Sequence, residues 1–307
     1  MRIHHHWQGL PRDAQGASVA MGNFDGVHLG HRSVIDRARG AAPLGVVTFE
    51  PHPRQVFAPD ASPFRLMNAE ARANRLAKLG VAELYELPFD ATLSGLSPAE
   101  FASQVLVQGL GISHVVVGAD FRFGKGRAGT AEDLATLGRD LGFAVTIAPL
   151  LAIDGQEVSS TAIRAALAEG RPRAAAAMLG HWHRIEGEVI HGEKRGRELG
   201  YPTANMSVDG LHLPRLGVYA VRADVLTGPQ AGSYMGAASL GVRPMFGVNR
   251  PNLETFLLDF KGDLYGQHIS IGFVDYLRPE LKFDGLPALI TQMDADCVKA
   301  REILSAL

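Results

Sequence analysis

The 307-residue chain has one cysteine, Cys297, so no disulfide can form within it. Its fold must rest on buried apolar surface, as expected in a reducing compartment. Long apolar runs are missing too: none approaches the roughly 18 residues that span a bilayer. The opening MRIHHHWQGLP lacks the apolar stretch of a secretory leader, and a cytoplasmic location is expected. An excess of one charge is also absent. The net charge is −2; residues 1–180 carry 17 Lys+Arg and 17 Asp+Glu, and residues 181–307 carry 13 and 15. Neither part has the basic surplus that neutralises a nucleic-acid backbone. No nucleic-acid or membrane partner is expected, and any nucleotide should be a small ligand. The run His4–His6 reads as plain terminal residues or a tag remnant, open to opportunistic metal binding. Composition leaves the oligomeric state unspecified.

The chain does have a folding composition, 46% hydrophobic and 20% charged, and a length that suggests two domains. Its first part alternates strand-like runs (ASVAMG, LGVVTFE, VAELYELPF, SHVVVGADF, FAVTIAPLL) with helix-like ones (HRSVIDRARG, AEARANRLAKLG, SPAEFASQVLVQGLG, TAEDLATLGRDLG). Ser97, Pro98 and Glu100 make a capping-box start, Thr130 is a second N-cap, and Gly80 is a helix stop. This βαβα rhythm predicts a doubly wound parallel sheet with ligands beyond its carboxyl edge. An alanine-rich helical stretch divided at Gly170 and Pro172 follows. From His181 onward short strand candidates separated by turns predict an antiparallel β-barrel. A last helix carries Leu289, Met293, Cys297, Ala300, Ile303 and Leu307 on one face. The expected domains are 1–180 and 181–307.

GNFDGVHLGH, Gly22 to His31, sits where a strand turns into a helix. His28 and His31 with Asp25 could count three metal ligands, but the spacing is not HExxH and no cysteine helps. Glycines that allow close backbone approach, followed by a helix N-terminus, suit a phosphate. Residues three apart at a helix start share a side, so both imidazoles could donate to phosphate oxygens. A tight turn with two surface histidines is the plainer alternative.

The stretch resembles the first signature of the HxGH nucleotidyltransferase superfamily, whose members transfer a nucleoside monophosphate to a phosphorylated acceptor and release pyrophosphate. VSSTAIR, Val158 to Arg164, is similar to the second signature. TFEPHPRQVF and VVGADFRFGKGRAGT further resemble the bacterial bifunctional riboflavin kinase/FAD synthetases. The resemblance implies that His28 and His31 act on ATP phosphates, with Gly22, Asn23, Phe24, Asp25, Gly26, Asp120, Ser159, Ser160, Thr161 and Arg164 in the nucleotide site. It implies Pro51, Pro53 and Phe57 on the flavin side, with Phe101 as a further aromatic contact, and Lys125 and Arg127 near phosphates. Core packing is the plainer alternative for Phe57 and stands level with a flavin contact for Phe101. Glu157 stands where relatives are often basic.

HGEKRGRELGYPTAN resembles the riboflavin kinase signature. Gly192, Lys194, Gly196 and Arg197 would wrap ATP phosphates, and Thr203 and Asn205 offer oxygen ligands for Mg²⁺. Glu254 falls at the position of the family's proposed base. Arg243 is carried over to the flavin site; Ser239, Val242 and Met245 depart from the family pattern. The resemblance covers the chain from about residue 15 onward. It implies an N-terminal nucleotidyltransferase domain and a C-terminal barrel kinase with a terminal helix. Together they would convert riboflavin to FMN and then FAD with ATP and Mg²⁺. Two rivals remain open: a nucleotidyltransferase for another phosphorylated acceptor, and a flavin-binding regulator without catalysis.

Overall fold

The computed structural model describes residues 1–192, 200–245 and 248–307. They form two units, 1–62 with 72–159 and 63–71 with 160–307.

The first unit contains β1 (Arg2–His4), β2 (Ser18–Met21), β3 (Leu44–Glu50), β4 (Glu83–Pro88), β5 (His114–Gly118), the short pair β6 (Arg122–Phe123) and β7 (Gly129–Thr130), β8 (Ala144–Ala148), and the short pair β9 (Ala152–Ile153) and β10 (Gln156–Glu157). Six of these make one sheet in the order β1-β4-β3-β2-β5-β8, all parallel. All of β2 and six of the seven residues of β3 are buried, which is why they read as continuous apolar runs rather than alternating ones. The strand order reverses at β2, which lies between β3 and β5, so the loop after β2 opens at the switch point of the sheet.

The helices of this unit are α1 (Leu29–Arg37), α2 (Pro53–Phe57), the later part of the boundary-crossing α3 (Ala69–Lys78), α4 (Ala91–Gly95), α5 (Pro98–Glu100) and α6 (Ala131–Leu141). Ser97 forms the expected capping box with Glu100, and Thr130, the expected N-cap, forms a second box with Asp133. The helix predicted over residues 97–111 continues past α5 as a π-helix, Phe101–Gly109, with Leu110 N–H donating to the Val105 carbonyl at 2.8 Å.

Of the run His4–His6, His4 belongs to the sheet. β1 is an edge strand paired with Glu83–Tyr85. His4 lies 2.7 Å from Glu83 through Nε2 and stacks on Tyr85 at 5.3 Å. An isolated HHH has no pattern that announces a strand; the pairing comes from the sheet edge that β4 offers.

The second unit begins with α7 (Ser160–Ala168) and α8 (Pro172–Leu179), separated by Gly170 at φ +74°. Leu66 packs with Ile163, Leu167 and Leu179. The barrel strands are β11 (His183–Glu188), β12 (Ala204–Ser207), β13 (Gly217–Val225), β14 (Gly232–Met245), β15 (Val248–Leu257) and β16 (His268–Arg278), antiparallel in the order β11-β16-β13-β14-β15-β12. An Ile190–Asn205 bridge brings the open edge together, with Ile190 N–H donating to the Asn205 carbonyl at 2.9 Å. Along β15, buried Leu253, Thr255 and Leu257 alternate with partly exposed Asn252, Glu254 and Phe256, the two-residue period of a strand with one face on a core.

The final helix, α9 (Leu286–Ser305), buries Ala300 and Leu304 against Ala220, Ala237 and Val274, with Cys297 half-buried beside them. Leu307 does not join this face: it follows the helix end and is exposed. The Arg278 guanidinium forks onto Asp296 at 2.7–3.0 Å and fixes the helix to β16. Among the described residues no helix is long and apolar enough to cross a membrane.

Candidate active sites

The first site grows from the end of β2. Gly22 N–H donates to the Val47 carbonyl at 3.1 Å. The loop then passes through left-handed conformations at Phe24 (φ 52°), Gly26 (φ 90°) and Val27 (φ 44°). A left-handed conformation at Phe or Val is costly and persists only when the surroundings enforce it. Here burial does so, since Phe24 and Val27 are each 1% exposed. Thr48 Oγ1 donates to the Asn23 carbonyl at 3.2 Å.

His28 is the N-cap of α1, and its Nδ1 accepts the His31 backbone N–H at 3.2 Å. That bond leaves the neutral ring's proton on Nε2, which becomes a donor. The two imidazoles stack with centres 3.6 Å apart and planes 15° from parallel. Burial, and then the neighbouring His28, hold His31 well below the ordinary histidine pKa, so it is neutral at pH 7. The His31 Nδ1 is buried without a hydrogen-bond partner. A Cβ on Gly30 would stand 3.0 Å from Cε1 of His28 and 3.4 Å from the Val158 carbonyl oxygen. The glycine between the histidines therefore makes room for the first ring and brings the second signature against the first.

The chain after β3 carries the expected flavin side. Pro51 follows a cis peptide. His52 and Gln55 cap α2 reciprocally around Pro53, with bonds of 3.1 and 3.2 Å. Phe57 is 68% exposed, its ring edge-on to Phe89 at 5.6 Å. Phe101 has a different environment: it is 4% exposed, in the core beside Phe123 at 5.8 Å. Asp120 is exposed just past β5. The strands β3, β2 and β5 are neighbours and parallel, so Phe57, His28 and Asp120 all follow the same edge of the sheet. Lys125 and Arg127 are exposed on a turn with Gly124 at φ 72° and Gly126 at φ 64°.

The sequence reading missed Arg72. It is 1% exposed, donating to Glu86 at 2.5 Å and Glu50 at 2.8 Å. Its Nη1 lies 3.5 Å from the carbonyl oxygens of Asn23 and Phe49. One buried guanidinium thus ties the loop after β2 to the start of the segment after β3. The available signal was a pair of acids, Glu50 and Glu86, inside apolar strand runs, because buried charges need a partner.

Of the second signature, Val158 is buried and Ser159 follows it in the first unit, while Glu157 is exposed in β10. Ser160, Thr161 and Arg164 lie on α7 in the second unit. There Arg164 donates to the Phe64 carbonyl at 3.3 Å and approaches Thr161 Oγ1 at 3.4 Å.

The second site lies where β12 meets β15. Asn205 pairs in register with Glu254, and Glu254 in turn with Ser239. The Asn205 amide donates to the Thr203 carbonyl at 3.2 Å and lies 3.4 Å from Thr203 Oγ1. A second residue the sequence reading missed, Asn252, donates to Asn205 Oδ1 at 2.9 Å and lies 3.4 Å from Glu254 Oε1. Gly192 closes over this group: a Cβ there would be 2.7 Å from the Asn205 amide. Tyr201 packs on Phe256 at 5.0 Å, and its hydroxyl donates to Asp294. Burial, and then that carboxylate, push the phenol up to about 12. Val242 and Arg243 lie on β14, and Met245 ends it. Lys194, Gly196 and Arg197 lie outside the described residues. Among the described residues no three His, Cys, Asp or Glu side chains gather as a metal-binding group.

Known proteins match both halves. The FAD synthetase family matches residues 10–162 and the riboflavin kinase family residues 179–304. The bifunctional riboflavin kinase/FMN adenylyltransferase of Pseudomonas fluorescens is 41% identical over 300 residues, covering 96% of this chain and 95% of its own. The Escherichia coli K12 protein of the same name is 37% identical over 293 residues, with 94% and 93% covered. A solved Streptococcus pneumoniae structure, described as a macrolide-efflux protein, superposes with TM-score 0.81 at 31% identity over 98% of each chain.

Proposed function

The chain belongs to the family of bifunctional riboflavin kinase/FMN adenylyltransferases, and from that premise we propose how its own residues divide the work. It phosphorylates riboflavin with ATP to give FMN, and it adenylylates FMN with ATP to give FAD and pyrophosphate. We assign residues 1–180 to adenylylation and 181–307 to the kinase, in a cytoplasmic protein whose partners are riboflavin, FMN and ATP rather than nucleic acid or membrane.

In adenylylation an oxygen of the FMN phosphate attacks the α-phosphorus of ATP, and the bond to pyrophosphate breaks. The chain's task is to place the reactants and stabilise charge on the phosphates. The single observation that carries the assignment is the stacked pair of His28 and His31, in which the Nδ1 cap leaves Nε2 to carry the His28 ring's donor proton. Gly22 to Gly26, Asp120 and Ser159 are assigned to the nucleotide pocket, and Ser160, Thr161 and Arg164 are carried over to ATP phosphates by the family resemblance alone. Pro51, Pro53 and exposed Phe57 receive the isoalloxazine. Phe101 supports them from the core.

In the kinase, Glu254 accepts the proton of the riboflavin 5′-hydroxyl as its oxygen attacks the γ-phosphorus and ADP departs. Thr203 Oγ1 and Asn205 Oδ1 are neutral hard oxygens of the kind Mg²⁺ takes; in this structure the Asn205 NH₂ faces Thr203, and Oδ1 accepts from Asn252. Mg²⁺ bound there would neutralise charge on the transferring phosphoryl group. Gly192, Lys194, Gly196 and Arg197 bind ATP phosphates, and Arg243 serves the flavin. Chromatography of full-length protein incubated with riboflavin, ATP and Mg²⁺ should resolve both FMN and FAD. A CTP requirement, or flavin binding without turnover, would favour one of the two rivals instead.

A further inference from the structure

We infer that Asn252 is a positioning residue for phosphoryl transfer, holding Asn205 and Glu254 in one geometry through a single amide nitrogen. The inference rests on the kinase roles proposed for those two residues.

Donor and acceptor chemistry fixes the network. The Thr203 carbonyl only accepts, so the Asn205 edge facing it at 3.2 Å must be the NH₂. Asn205 Oδ1 is then turned the other way and needs a donor, which Asn252 Nδ2 supplies at 2.9 Å. The same NH₂ lies 3.4 Å from Glu254 Oε1. Two acceptors on one side leave Asn252 one sensible orientation. Each amide thereby specifies the next, and the chain of bonds ends on the carboxylate that takes the proton. Asn205 is 7% exposed, so a lost partner is not readily replaced by water.

The effect expected is on orientation. Oδ1 has a second lone pair for a cation, and its direction depends on the bond that Asn252 makes to the first. Asn252 also spaces Glu254 from Asn205 across paired strands. Neither function requires Asn252 to touch riboflavin, so binding of the flavin and speed of the step should separate.

The test uses full-length wild type with Asn252→Leu, Asn252→Gln and Glu254→Gln. Circular dichroism and the thermal unfolding midpoint report that the barrel of each variant is folded, and FAD formation from supplied FMN reports that the first unit is intact. For Asn252→Leu, kcat for FMN formation should fall about tenfold while KM for riboflavin stays within about twofold. Asn252→Gln, which keeps the donor, should regain part of the loss. A readout independent of turnover is the side-chain NH₂ resonance of Asn205 in protein labelled with ¹⁵N-asparagine. In Asn252→Leu its exchange with water should quicken about fivefold, while the Asn68 amide, bound to the Glu186 carbonyl at 2.9 Å, stays unchanged. Unchanged kcat and unchanged Asn205 exchange would overturn the inference. An active Glu254→Gln would overturn the assigned base instead, with the Asn205 exchange still deciding the role of Asn252.

Discussion

The His28 ring lies 3.6 Å from that of His31 and caps its backbone N–H through Nδ1. Gly30, between them, gives the first ring its place. Gly30→Ala should raise helix propensity by up to about 1 kcal/mol. It should also push a Cβ to 3.0 Å from His28 Cε1. FAD formation should therefore fall about tenfold or more in a protein that melts no lower than wild type, measured by steady-state kinetics and thermal unfolding. Full activity in Gly30→Ala would mean that the ring position is unimportant.

Arg72 joins Glu50 and Glu86 beneath the two loops of the first unit. Arg72→Met leaves those carboxylates without their cation and should cost about 3 kcal/mol in urea unfolding. Arg72→Lys keeps the charge but not the fork. It should recover more of the stability than of the FAD-forming kcat/KM. Equal recovery of both would reduce Arg72 to a folding role.

Phe57 is 68% exposed and spends little of its surface on the fold. Phe57→Ala should change stability by less than about 0.5 kcal/mol yet raise KM for FMN in FAD formation several-fold. Riboflavin kinase kinetics should stay the same. An unaltered KM for FMN would move the isoalloxazine elsewhere.

His183 lies 2% exposed in the barrel with no partner at Nε2. Burial, and then the positive ends of His181 and His212, lower its pKa from 6.5 to about 3. The unfolded chain therefore binds a proton below pH 6.5 that the folded chain refuses. Stability is kept above 6.5 and lost as pH falls toward 3, by up to about 1.4 kcal/mol per pH unit. His183→Leu should flatten that loss between pH 7 and pH 5 in urea midpoints; an unchanged slope would assign it to other groups.

The sheet was legible because buried parallel strands leave unbroken apolar runs, and the barrel because turn residues punctuate alternating ones. The capping boxes at Ser97 and Thr130 were legible because they are local. His28, His31, Asn205 and Glu254 were put forward through motifs. Arg72 and Asn252 were not, since their partners stand in other strands and loops, and neither looks unusual among its neighbours in the chain. The strand at His4 escaped for the same reason: its pairing partner begins at Glu83. For Phe101 the sequence left core packing and a flavin contact equally open, since a lone aromatic in a helical run suits either; its ring lies in the core.

The central claim is that one chain carries two separate chemical sites. The most direct measurement is a crossed assay of His28→Ala and Glu254→Gln, each given riboflavin with ATP and, separately, FMN with ATP. His28→Ala should make FMN at the wild-type rate and lose FAD formation by about a hundredfold or more. Glu254→Gln should make FAD from supplied FMN and lose FMN formation to a similar degree. Equal loss of both activities in either folded variant would contradict the account.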